Sequence, residues 1–346
     1  MPTPAPAPVA TVATAAHLPA GAPAENARPR SAYLAILFGV FIFVFASPLV
    51  RVTLDAGLPP MVIAAGRPLL AWLILSVILL RRPSEWASLR QLSRRQLALA
   101  ALGGTLLGLY FMMMTLSLRA TDVLITQAVI NTGPLWIALL EVSVLREHLR
   151  RGVWIGLCIS VSGGVVVAAA SIGQVGGSAG IPSLPGVGFA LLSTLGFAGY
   201  MIVGRGLRRV VPLVSYLWLV MGFATLSSSL MLWVSGTPLF GHSSAAFFWL
   251  VVMTLLTQLV GHGIVNYCIV YFPATLLAMI GPVISVGSAV VAFLLFAEMP
   301  TGAETLGSLI LMSGVLYVIL SEARAGRASR AKREPAVAPT ALPGSR

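Results

Sequence analysis

Residues 153–166 read VWIGLCISVSGGVV and residues 304–317 read ETLGSLILMSGVLY. Gly156, Ser162 and Gly163 of the first stretch recur as Gly307, Ser313 and Gly314 of the second, and Glu147 upstream recurs as Glu298. All four matches share one offset of 151 residues. Glycine and serine are common in apolar helices, so each match alone says little. A shared register in similar hydrophobic surroundings marks a duplication, and the contents of each copy decide the fold.

Those surroundings are membrane material. The mean hydropathy is +0.94, and 58% of residues are hydrophobic against 9% charged, where a soluble domain carries about a quarter. In lipid every backbone group must be satisfied within its own segment, so long apolar runs become helices. Ten such runs are predicted, at about 32–50, 61–80, 97–118, 123–145, 153–170, 187–204, 214–234, 246–270, 274–297 and 305–320. The expected fold is an all-α integral membrane protein with ten transmembrane helices in two inverted five-helix repeats. Five is odd, so the second copy enters the bilayer from the opposite face. Transporters use such pairs because two similar halves packed in opposite senses open a midplane site to either side in turn.

The organisation follows: a disordered N-terminal tail at 1–31, the first repeat at 32–170, an external linker at 171–186, the second repeat at 187–320 and a basic cytoplasmic tail at 321–346. The first 27 residues, rich in Ala, Pro and Thr, lack the basic start of a cleavable signal. With both termini inside, nineteen of the 22 basic residues face the cytoplasm, including Arg205 and Arg208. That bias predicts a multi-pass protein of the cell membrane with cytoplasmic termini. The net charge of +12 then answers anionic lipid headgroups rather than nucleic acid. The tail beyond Ser321 is expected to be unfolded.

No enzyme motif is present: no His-Glu-x-x-His, no phosphate-cradling loop and no nucleophile elbow. Of four histidines only His262 falls in a span, and Cys158 and Cys268 lack metal-ligand spacing, so neither cofactor nor metal is expected and both thiols read as free.

Each copy resembles the repeat unit of the drug/metabolite transporter superfamily, in particular the EamA-type ten-helix transporters. The residues that carry the likeness are Gly133-Pro134 followed by an apolar run, Glu147, Gly156 and Ser162-Gly163 in the first copy, and Glu298, Gly307 and Ser313-Gly314 in the second. Ser47-Pro48, Arg51 and Arg67 resemble a branch of the same superfamily. There are departures: Ser285 stands where the offset predicts a second proline, and Arg146 and Ala297 replace the glycine that precedes the glutamate in the family. The resemblance implies secondary export of a small organic metabolite, such as an amino acid or related compound.

Candidate substrate-binding residues follow from polar side chains at membrane depth. Thr254, Gln258, His262 and Asn266 recur every four residues in the eighth span, one helical face that must be buried in protein or line a wet cavity. Leu256 and Ile264 are expected on the opposite face. Gln127 and Asn131 stand one turn apart before Pro134, whose ring frees a carbonyl in the preceding turn. Tyr110 lies near mid-membrane and Tyr200 nearer the cytoplasm. Each of these residues also has a structural reading, as interhelical hydrogen bonding or packing. Proton coupling is assigned to Glu141 and His262, with a partly hydrated structural carboxylate as the other reading of Glu141; Arg67 reads as structural, snorkelling or bonding helix-end carbonyls. The predicted partners are a small-molecule substrate and the bilayer, with room for a homo-oligomer. A passive channel or interaction protein, or a membrane-embedded enzyme with His262 as general base, are the rival classes.

Overall fold

The computed structural model describes residues 29–120, 129–146, 148–172, 184–296 and 302–333. Every regular element among them is helical. The first predicted span is two helices, α1 (Arg30–Val44) and α2 (Ala46–Asp55). Pro48 accounts for the break, since it lacks an amide hydrogen and its ring crowds the carbonyl four residues back, that of Val44. The hydroxyl of Ser288, far along the chain, donates to this carbonyl at 2.7 Å.

Next come α3 (Pro60–Leu80), begun by a proline where no intrahelical donor is missed, the short α4 (Pro83–Arg90) and the long α5 (Arg94–Ala120). The fourth predicted span is described from Val129 onward. A turn at Asn131 and Thr132 separates Ile130 from α6 (Gly133–Ser143). Pro134 therefore heads a helix instead of kinking one, because the first turn of a helix needs no amide there. The chain continues as α7 (Arg151–Ile172), α8 (Leu184–Leu207) and α9 (Leu213–Val234).

The eighth span is composite: α10 (Ser244–Met253), a π-helical segment (Thr254–Gly261) and α11 (His262–Cys268). Then follow α12 (Ala274–Ala278), α13 (Ile280–Phe296) and α14 (Gly302–Arg333). The last helix runs twelve residues past Ser321, so the start of the predicted unfolded tail is helical. Its sequence, SEARAGRASRAKR, is rich in alanine and arginine, both strong helix formers.

Among the described residues six stretches are long and apolar enough to cross a membrane: Arg30–Asp55, Pro60–Leu80, Arg94–Ser117, Leu184–Leu207, Leu213–Val234 and Ser244–Cys268. Gly133–Ser143, Arg151–Val166 and Thr305–Ser321 are shorter apolar helices. Exposed leucines and aromatics recur at helical spacing on the outside, Leu34, Leu37 and Phe41 on α1 and Leu226, Leu230 and Trp233 on α9. Such stripes suit lipid, since in water they would be aggregation surfaces.

The duplication is visible in the packing. A β-carbon added at Gly163 on α7 would stand 2.7 Å from the Gly307 carbonyl, and one added at Gly314 on α14 would stand 2.7 Å from the Gly156 carbonyl. Shifted by 151 residues, each contact becomes the other. Their close backbone neighbours, the amides of Leu311 and Ser160, exchange in the same way. Residue numbers rise along α7 as they fall along α14, so the two helices are antiparallel. The Gly104 and Gly108 pair of α5 meets Val220 and Ala224 of α9 backbone to backbone, as the small-xxx-small spacing predicts.

Candidate functional site

A cavity of about 280 Å³ opens where the two halves meet. The first half contributes Ile36 to Phe43 of α1, Tyr110 of α5 and residues 130–137 at the head of α6. The second contributes Thr194, Phe197 and Met201 of α8, His262 to Cys268 of α11, and residues 277–284 of α12 and α13. Under the duplication these are corresponding elements of each copy. Of the glycines at the wall, Gly39 lies against Ile264, where a β-carbon would come within 2.9 Å. The lining is mostly aliphatic and aromatic, with Tyr110, Asn131, Thr194 and His262 supplying polar atoms.

The polar stripe of the eighth span splits. All four residues are buried, but only His262 lines the cavity. Gln258 Nε2 reaches the Met221 sulfur at 3.3 Å, and Asn266 Nδ2 donates to the Tyr200 hydroxyl at 2.6 Å and to the His262 carbonyl at 2.7 Å. Gln258 and Asn266 thus tie the eighth span to α9 and α8. The opposite-face expectation for Ile264 fails, since Ile264 lines the cavity beside His262. A π-helical turn holds more residues than an α-turn, so the four-residue spacing does not keep one face across Thr254–Gly261. Tyr110 and Asn131 do line the cavity, Tyr200 is fully buried behind it, and Gln127 lies outside the described residues. Glu147 and Glu298 lie outside them as well.

Arg67 does not snorkel. It is 8% exposed on α3, donates to Thr257 Oγ1 at 3.2 Å and places its guanidinium 4.9 Å from the centre of the Phe111 ring. Glu141 is fully buried, at 0% exposure. It forms an ion pair with Arg205 of α8, which is 2% exposed. The same carboxylate accepts from the Ala274 amide at 2.6 Å, from the Thr275 amide at 3.1 Å and from the Thr275 hydroxyl. Pro273 sets the extended residue before α12, leaving these first amides without intrahelical acceptors, and the carboxylate supplies one.

The placement of this cluster is informative. Glu141 lies four residues past the lining residue Ile137, Arg205 four past the lining residue Met201, and Ala274 three before the lining residue Leu277. The tie therefore joins three walls of the cavity about one turn, or about 6 Å, beyond it. Sequence reading missed Arg205 and Thr275 as partners of Glu141. The sole signal for Arg205 was its position inside the end of an apolar run, where an unpaired guanidinium is costly.

Among the described residues no group of three or more His, Cys, Asp or Glu could hold a metal ion. Cys158 is exposed and Cys268 buried, both as free thiols. A solved crystal structure shares the fold, with a TM-score of 0.67 and 20% identity over 86% of this chain and 99% of that one. Among curated proteins none matches. The EamA-like transporter family matches twice, over residues 30–169 and 184–320. The two matches coincide with the two copies, and the chain belongs to the EamA-like transporter family, a multi-pass membrane protein built of two such units.

Proposed function

We propose that the protein is a secondary transporter that carries a small organic metabolite, such as an amino acid or related compound, out of the cell across its bounding membrane. One observation carries this reading: a cavity shared by corresponding helices of both copies, with three of its walls joined one turn further on by Glu141, Arg205 and the start of α12. Alternating access needs a central site whose ends open in turn. A buried, reversible tie at one end suits that cycle better than it suits a permanent pore. The antiparallel run of α7 and α14 supports two inverted copies of five spans each, and the arginines near Arg94 and Arg205 and in the tail favour cytoplasmic termini. Tyr110, Asn131 and His262 are the polar groups offered to a substrate, while Gln258 and Asn266 hold the wall in place.

Glu141 is engaged by four donors, so its proposed role is that of a latch on the cavity rather than a freely titrating proton carrier. The test compares metabolite efflux from cells expressing the protein with that from cells lacking it, followed by flux of the accumulated compound in sealed proteoliposomes. Saturable, gradient-coupled flux is expected. Flux that never exceeds equilibration and does not saturate would establish a channel in its place.

A further inference from the structure

Among the described residues no carboxylate pairs with Arg67. Arg67 makes its described polar contact with a neutral hydroxyl and rests on an aromatic face. Glu141, the one buried carboxylate among the described residues, is already held by Arg205 and the α12 amides. Steps of 4.9 Å from the guanidinium to the Phe111 ring and 6.2 Å from that ring to His262 bound the distance from Arg67 to the cavity wall at about 11 Å. His262 itself is 6% exposed, lines the cavity and has Nδ1 without a hydrogen-bond partner. A cation without a carboxylate partner behind the wall favours an electron-rich ligand group there, and the His262 Nδ1, in the tautomer that carries its proton, can donate to one. The rest of the wall is apolar, with Ile36, Phe43, Ile137, Phe197 and Ile284 among its residues. A volume of about 280 Å³ lies at the small end of ligand pockets.

We infer that the cavity selects compounds bearing a carboxylate on a small apolar body, with Arg67 as the standing positive charge behind the His262 wall, and that it rejects amines that lack a carboxylate. This rests on the transport reading of the cavity and narrows its substrate class. At an effective dielectric constant near 20, a charge about 11 Å away changes affinity for a unit charge by about tenfold, or about 1.5 kcal/mol.

The test uses four probes with similar branched aliphatic bodies: isocaproate, leucine, leucinamide and isoamylamine. Each is added at millimolar concentration to the purified full-length protein, and ligand stabilisation is read as a shift in thermal unfolding. Isocaproate and leucine are expected to stabilise the protein with apparent affinities at least tenfold above those of leucinamide and isoamylamine. Arg67→Gln should bring the four probes level, and Arg67→Lys should restore most of the difference. If Arg67→Gln fails to fold, the four-probe comparison on the unaltered chain still decides. Gly281 lines the cavity and a β-carbon there meets nothing within 4 Å, so Gly281→Leu puts a bulky side chain into the cavity from a position with room at its base. It should abolish binding of every probe. Equal or stronger binding of the amines, still blocked by Gly281→Leu, overturns the carboxylate class and leaves the cavity standing. Binding untouched by Gly281→Leu places the ligands elsewhere and overturns both readings. No stabilisation by either carboxylate probe overturns the inference.

Discussion

Replacing Glu141 by glutamine should weaken the protein by about 3 to 5 kcal/mol, the range observed when one partner of a buried ion pair is removed. Solvent screening offers little relief, since the two side chains are 0% and 2% exposed. The glutamine amide would also turn an N–H donor toward either the Ala274 amide or the Thr275 amide and hydroxyl, which now donate to Glu141. A buried donor left without its acceptor costs about 1 to 3 kcal/mol, which places the effect toward the upper half of the range. Removing both charges, as Glu141→Gln with Arg205→Met, takes away the stranded guanidinium and should recover at least about 2 kcal/mol relative to the sum of the single changes. The measurement is a double-mutant cycle on reversible unfolding in mixed micelles, followed by tryptophan fluorescence. If Glu141→Gln costs less than about 0.5 kcal/mol, or the two changes add without coupling, the buried pair is not formed and the latch has no basis. If the pair holds the cavity closed at that end, a cysteine at position 137 or 277 should also react faster with a hydrophilic thiol reagent in the Glu141→Gln background.

In a cysteine-free background, cysteines at 262 and 264 should react with small hydrophilic thiol reagents and be slowed by substrate, while those at 258 and 266, turned into helix contacts, should not; equal labelling of all four would refute the split of the stripe. Gly163→Val should destabilise by more than about 2 kcal/mol, because the added atoms meet the backbone of α14 and not a movable side chain, whereas Gly188→Ala, with open space around it, should be within about 0.5 kcal/mol of neutral by the same unfolding assay. Cysteines placed between Ser171 and Gly186 should be labelled by an impermeant reagent on intact cells, and those near Arg94 or in the tail only after permeabilisation; the reverse pattern would overturn the proposed orientation.

The architecture was legible because its determinants repeat or run in long stretches. The 151-residue offset found in Gly156, Gly163, Gly307 and Gly314 reappears in space as one exchanged set of contacts. The breaks were less legible: Pro48 splits a span that hydropathy alone joins, and Pro134 starts a helix where the apolar run suggested an interior position. The candidate site was legible in part. Tyr110, Asn131 and His262 line the cavity, since polar residues at membrane depth have few places to go. The partners of Glu141 were not, because Arg205 is 64 residues away and Thr275 is 134. No local periodicity records which helices become neighbours. Ile264 was misplaced for another reason, since His262, Ile264, Val265 and Cys268 of α11 all line the cavity, which reaches round more than one face of that helix.

The exchanged glycine contacts of α7 and α14 have a consequence for tolerance to change. In a dimer of identical chains a two-fold contact is self-complementary, and every substitution is felt at both of its equivalent points at once. Here the equivalent points belong to one chain and carry separate codons. A change at Gly163 alters its approach to Leu311 and leaves the approach of Gly314 to Ser160 as it was. Each half of the seam can therefore drift singly, at half the structural dose. The same independence lets one copy keep the latch carboxylate Glu141 while the other, at the matching position 292, carries alanine, so the two ends of the cavity need not open with equal ease.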